Sequence, residues 1–463
     1  MTVAAPPAGD GLLRALHPRD PLWPLACLVL PLPVWWLLGL ANLGWFLAAV
    51  PMAVSLVRRR RLRVPPGFGW WLAFLLWLVL STAMLGQDPT GTVAEPASSR
   101  LLPVAFRFAE YGSATVMLLW ALNLDPVRVP AARLARMLAV LCGWTVAGGL
   151  LGLVAPTFEL TSVVETLLPA GIADNSYVQA LVHPAAAQVQ DVIGTGNARP
   201  SAPFAYTNTW GNALGLLLPF AAAAALLARR PAARWGWTAL AVVALVPAVQ
   251  SLNRGLWVAL ALGLALVVVL LFRSGHTFPA MAAVTVAAIG LVVVAVSPLG
   301  ATFTERQSGE APSDEIRSFS IARSVEVARE SPVLGFGGTR AQAGSSDSIA
   351  VGKSERCPNC GNLALGTNGQ LWFALVGQGF VGAFFYVMFH VSLLRRFLRR
   401  TEPGDGVLVA CGAVGMALAL WFCLVYDRTG PTGCIEFLVI AVAAKQLADR
   451  VVRTDPVRQR VSA

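Results

Sequence analysis

Charge is scarce in this sequence. Asp, Glu, Lys and Arg make up 13% of 463 residues, where a soluble globular chain carries about 25%. Hydrophobic residues reach 56% before the 42 glycines are added. That combination excludes intrinsic disorder and argues against an ordinary cytosolic enzyme. Lysine is confined to Lys353 and Lys445, and histidine to His17, His183, His276 and His390. No cluster of histidine, cysteine and carboxylate has metal-ligand spacing, so neither a metal nor a cofactor is expected. No phosphate-binding glycine motif is present: Gly335, Gly337 and Gly338 in LGFGG do not follow a strand in a βαβ unit. No nucleic-acid-binding module is recognisable, and the net charge of +11 is accounted for by helix orientation and anionic lipid. No internal repeat in two halves is visible, as many transporters would show. A cleavable signal peptide is not expected, because Asp10, Arg14, His17, Arg19 and Asp20 precede the first apolar block at Leu22.

What is abundant is apolar sequence in blocks. It predicts an all-α polytopic membrane protein with about twelve transmembrane helices, each needing about 20 apolar residues. The spans are placed at 22–39, 41–57, 68–84, 102–123, 137–154, 209–228, 236–252, 256–272, 279–298, 370–393, 407–426 and 434–448. Arginine then sets direction. The run Arg58 to Arg61, Arg128, Arg133, Arg136, Arg229, Arg230, Arg273 and Arg395 to Arg400 falls in alternate gaps, which places both termini in the cytoplasm. Two extracytoplasmic loops are long, at 155–208 and 299–369, and every cytoplasmic loop is short. Chemistry beyond spanning is therefore expected outside. In the second loop Ser313 and Asp314 can cap an amphipathic helix from about Glu315 to Glu330, which Pro332 and Gly335 stop. It either lies on the membrane or bundle surface, or floors a site facing lipid head groups.

Ionisable residues inside spans are costly and read first as functional. Arg107 and Glu110 are three apart in the fourth span and can pair. Glu436 is placed near the outer rim of the last span, close to Asp427 and Arg428. Arg199 lies in NARPSAPFAYTN, just before a span, and Arg254 in SLNRG, a tight outer turn. Arginine there can grip a phosphate or pyrophosphate in bidentate fashion; snorkelling to the interface is the alternative. His183 is the one outward histidine, and His390 is expected to pack or pair. Cys357 and Cys360 form a lone CxxC, half of a zinc site at most. On an oxidising face a local disulfide is the better reading.

Four ordered segments carry a resemblance. They are Arg199 through Asn208, SLNRG with Arg254, Arg317 through SPVLGFG, and TNGQLWFALVGQGFVGAFFYV from Thr367 to Val387. In order, spacing and external placement the chain resembles the bacterial O-antigen ligase / O-antigen polymerase superfamily. The family's ligases carry a histidine before the asparagine of the last segment, where this chain has Thr367 followed by Asn368. Threonine cannot act as a base near neutral pH, so the base lies elsewhere or the reaction relies mainly on arginine charge.

The resemblance implies a multi-pass protein of the bacterial inner membrane. It implies a metal-independent glycosyltransferase, using a polyprenyl-pyrophosphate-linked oligosaccharide as donor and a glycan or lipid hydroxyl as acceptor. Other envelope-synthesis proteins are possible partners. Arg199 and Arg254 would face the pyrophosphate, and Arg317 would face it or position the loop helix. Tyr206, Asn208, Thr367 and Asn368 would meet substrate. Glu110, Glu436 and Asp427 are the carboxylates open to the role of base. The rival reading is a transporter or flippase of lipid-linked oligosaccharide; a third is a non-catalytic scaffold of a wall-synthesis complex or a peptidoglycan polymerase.

Overall fold

The computed structural model describes residues 11–169, 176–189, 198–296, 311–342, 363–401, 406–428 and 430–454. Among the described residues helices dominate, and strands are limited to two short pairs. Seven of the described helices are long and apolar enough to cross a membrane: Ala131–Val154, Thr207–Leu227, Pro231–Gln250, Arg254–Arg273, Gln370–Leu398, Val407–Val425 and Pro431–Arg450. Gly44–Val57 and Phe68–Met84 are shorter apolar helices. The chain is thus an all-α, multi-pass membrane protein.

Several elements depart from the ranges expected. The first block is two short helices, Trp23–Val29 and Leu32–Leu37, because Pro31 and Pro33 interrupt it. The block after residue 230 is likewise divided, into Pro231–Val243 and Leu245–Gln250. The helix at the expected fourth span, Ala97–Leu122, begins before its apolar stretch and carries Arg100, Arg107 and Glu110.

Burial separates centre from rim. Val407–Val425 packs against Gln370–Leu398, Pro431–Thr454, Arg254–Arg273 and Thr207–Leu227, and Pro431–Thr454 lies along Ala97–Leu122. Of the best apolar window, 78% is buried in Pro431–Arg450 but 17% in Pro231–Gln250 and 22% in Arg254–Arg273. The last two turn Trp235, Val242, Leu262 and Val269 outward. In water such a surface would be a large exposed apolar patch; in a bilayer it meets lipid tails without cost. The core is aromatic where helices converge, with Trp71 touching Phe74, Tyr111, Phe389 and Phe437.

Gln370–Leu398 is broken at Gly379, whose φ of 66° only glycine adopts readily. The break frees backbone groups that must find partners in an apolar interior. The Pro332–Gly338 segment supplies them. Phe336 N donates to Val376 O at 2.9 Å, Gly337 N to Gly377 O at 2.7 Å, and Phe380 N to Pro332 O at 2.8 Å. A Cβ on Gly335 would stand 2.5 Å from Gly379 N, so the two chains cross in near contact. This crossing fixes the helix Ala311–Glu330, which packs on Gln370–Leu398. The helix expected from about Glu315 to Glu330 begins earlier, at Ala311, and its apolar residues do not gather on one face.

The same segment is tied to the turn after Phe68–Ser81. Arg340 donates to the carbonyls of Gln87 at 3.0 Å and Phe336 at 2.8 Å, and lies over the Phe336 ring. Burial, reinforced by Arg100, lowers the Arg340 guanidinium to about 10, while Asp88 pulls it back up. It therefore stays charged at neutral pH. Arg323 adds a bond to Gln342 Oε1 at 2.9 Å, and Glu330 accepts from Thr90 N at 2.9 Å.

Candidate functional site

Tyr426 is the meeting point. It follows the Val407–Val425 helix, and its phenol donates to Asn253 Oδ1. Asn253 caps the helix Arg254–Arg273 by accepting from Leu256 N at 3.1 Å, so Arg254 occupies the first helical position. The turn before it is strained: Leu252 has a φ of 52°, a conformation costing a non-glycine residue about 1–3 kcal/mol. Gly255 explains the glycine of SLNRG, since a Cβ there would stand 2.7 Å from the Tyr426 ring.

Arg199 reaches this place from the first long loop. It sits in β2 (Ala198–Pro200), paired antiparallel with β1 (Ala187–Val189), and its Nε donates to Ser251 O at 2.9 Å. Arg317 arrives from the second loop, exposed near the start of its helix. The last motif closes the circle: Gln370 N donates to Tyr426 O at 2.9 Å, and Gly369 packs on the Leu424 carbonyl. Thr367 and Asn368 form the turn just before, where the exposed Thr367 Oγ1 donates to Ala364 O at 2.9 Å. Three segments distant in sequence thus meet at one tyrosine. Arg199 and Arg254 are half-buried, as are Tyr206 and Asn208. Burial pushes the Tyr206 phenol up, which keeps it a hydroxyl donor at neutral pH.

The three carboxylates occupy one buried network, yet they differ. Arg107 bonds Glu110 at 3.1 Å and Asp427 at 2.7 Å, and lies 4.1 Å over the Phe373 ring. Glu110 spends its other oxygen on Gly430 N. Glu436 bonds Arg428 at 2.6 Å and His390 at 2.6 Å. Arg428 also donates to Tyr386 Oη and, at 2.7 Å, to Ala419 O. Glu436 is 1% exposed and stands in the second turn of the helix Pro431–Thr454, enclosed by Arg428 and His390. Asp427 is 12% exposed, adjoins Tyr426, and keeps Oδ1 without a hydrogen-bond partner among the described residues. A buried carboxylate oxygen left open needs an explanation, and a ligand hydroxyl or a water would supply it.

A second group lies beside Arg199. His183 Nδ1 is 2.8 Å from Glu165 Oε2, within an open pocket of about 370 Å³ that Gln179, Gln188, Ser201 and Tyr206 also line.

Sequence reading brought out the arginines and the Arg107–Glu110 pair. It missed Tyr426, Asn253 and the His183–Glu165 pair. Asn253 had a signal, as an N-cap residue directly before an apolar helix. Tyr426 had none. Cys357 and Cys360 lie outside the described residues. Among the described residues no group of three or more His, Cys, Asp or Glu is placed to hold a metal ion. No protein-family model and no curated protein matches the chain.

Proposed function

We propose that this chain is a membrane glycosyltransferase of the O-antigen ligase / polymerase type. It moves a glycan from a polyprenyl-pyrophosphate donor to a hydroxyl acceptor at the outer face of the bacterial inner membrane. The observation that carries the reading is the meeting of the Arg199 strand and the Arg254 turn at Tyr426, with Arg199 bonded to Ser251 O and Asn253 to the Tyr426 phenol. These residues come from separate segments, and none is needed there to anchor a helix.

The chemistry suits that grouping. As the bond between anomeric carbon and pyrophosphate oxygen breaks, negative charge grows on the leaving pyrophosphate. Cations held in place before the reaction stabilise that charge most where water and dielectric are low. Pyrophosphate is already an activated leaving group, so the step needs no nucleotide. Asp427, oriented by Arg107, offers its open Oδ1 to a sugar hydroxyl. Glu110 and Glu436 have both oxygens engaged, which suits packing better than proton transfer. Because Glu110, Glu436, Arg107 and Arg428 each bind a charged neighbour, the network reads as a lock between helices and not as a path for cargo.

The test uses purified protein in liposomes with a polyprenyl-pyrophosphate oligosaccharide, without nucleotide or metal. Released polyprenyl pyrophosphate with a longer glycan marks a polymerase; sugar on another lipid or wall acceptor marks a ligase. Arg254→Ala should lower the rate by about 10²–10³, as loss of one charge-stabilising donor does. Full transfer by a normally expressed Arg254→Ala protein sinks the assignment. Lipid-linked sugar crossing the bilayer without release supports the flippase reading instead.

A further inference from the structure

We propose that the pocket between His183 and Tyr206 is the acceptor-sugar subsite, and that His183 Nε2 is the base that accepts the attacking hydroxyl's proton. The proposal rests on the glycosyltransferase reading above.

The pocket is built, not incidental. Glu165 is locked by a capping box: Ser162 N donates to Glu165 Oε2 at 3.2 Å, and Glu165 N to Ser162 Oγ at 3.1 Å. Ser162 itself is 1% exposed. Glu165 therefore presents a fixed oxygen to His183 Nδ1 at 2.8 Å. With Nδ1–H donated to that carboxylate, the lone pair of the neutral ring is on Nε2. Among the described residues, three other titratable or charged groups bear on the ring or its pocket. Glu159 is 3.8 Å from Nε2 and 70% exposed. Tyr206 lines the pocket and stays neutral, and Arg199 is the strand partner of the lining Gln188.

The lining fits an uncharged sugar. Gln179, Gln188, Ser201 and Tyr206 are neutral donors and acceptors set among alanines, and among the described residues no lysine or arginine lines the pocket. About 370 Å³ is at the small end of ligand sites, which run from roughly 300 to 1,000 Å³. A pyrophosphate would find no cation among these lining residues. Gln188 is the register partner of Arg199, and opposed strand residues share a face. Gln188 Oε1 also accepts from Thr207 N at 3.1 Å, and Thr207 O accepts from Asn253, the residue bonded to Tyr426. Neutral pocket and cationic cluster are thus neighbours with one shared wall. This answers the missing base at Thr367 with a residue from the other long loop.

The step balances without a co-reactant. The acceptor oxygen attacks the anomeric carbon, and its proton passes to His183 Nε2. The bond from anomeric carbon to pyrophosphate oxygen breaks, and its electron pair leaves with the polyprenyl pyrophosphate facing Arg199, Arg254 and Arg317. The histidine then returns its proton to solvent.

The experiment compares the full chain in liposomes with His183→Ala, His183→Gln and Glu165→Gln. The probe is the lipid-linked glycan extracted from the producing organism's membranes. Transfer by His183→Ala and His183→Gln should fall by about 10²–10⁴, the usual worth of a general base. Added imidazole should restore part of the His183→Ala rate, and Glu165→Gln should fall less. Donor binding should be unchanged in all three. Wild-type transfer with an equally fast His183→Gln protein overturns this inference and leaves the glycosyltransferase reading intact. A loss that imidazole does not restore, accompanied by a lower melting temperature, assigns His183 a structural role and also overturns it. No transfer by the wild-type chain removes the underlying reading, and this one with it.

Discussion

Neutralising Glu436 should cost far more stability than neutralising a typical surface carboxylate. Its side chain is 1% exposed and its two oxygens are 2.6 Å from Arg428 Nη1 and 2.6 Å from His390 Nε2. Glu436→Gln keeps the shape but leaves the Arg428 guanidinium, 4% exposed, without its counter-charge. Removing one partner of a buried pair costs about 3–5 kcal/mol, because the remaining charge stays desolvated. The glutamine oxygen can still accept one bond from Arg428, which places the expected loss near the lower end, about 3 kcal/mol. The double change Arg428→Met with Glu436→Leu removes both charges and should recover most of that loss, since apolar replacement of a whole pair is often neutral or better. Equilibrium unfolding in mixed micelles, followed by tryptophan fluorescence, measures the full cycle. A Glu436→Gln protein within about 0.5 kcal/mol of wild type, or a double variant equal to the sum of the singles, would show that the pair is not coupled.

Asp427→Asn should lower transfer more than Glu110→Gln does per folded molecule, because only Asp427 has an open oxygen beside Tyr426; initial rates normalised to monodisperse protein decide it. Gly335→Ala should destabilise the chain by at least the 1–3 kcal/mol or so that a positive φ costs a non-glycine residue, since its Cβ would also meet the backbone of Gly377 to Gly379; a wild-type melting temperature contradicts this. Arg340→Ala should release the segment from Leu85 to Val93, which its guanidinium and the Ala341 carbonyl hold in place. Faster protease cleavage there, with the helices left intact, is the expected result.

Fold class was legible because the bilayer imposes it. A run of apolar residues in this composition has few options other than a helix among lipids, since backbone polar groups must be satisfied within each segment. Proline at positions 31 and 33 carried the information that the first block is broken, although hydropathy alone joined it. The break at Gly379 was less legible. Glycine occurs in many membrane helices without a break, and this one exists because Pro332 to Gly338 lies across it.

The candidate site divides the same way. Arg107 and Glu110 pair over one helical turn, so their spacing alone announced the contact. Arg107 and Asp427 meet across 320 residues of sequence, and no periodicity reports that. Local chemistry also named Arg199 and Arg254, because an arginine beside an outer span end is costly to explain by topology. It could not say that the Arg199 strand meets the Arg254 turn beside Tyr426, that Asp427 alone of three carboxylates keeps an oxygen open among the described residues, or that a glutamate in a five-residue helix pairs with His183. Sequence by itself determined which segments are apolar, which residues are charged and where turns must fall, since each depends on neighbours within a few positions. Only tertiary structure decided which of those charges share a wall, since that depends on how helices far apart in the chain pack their buried faces together.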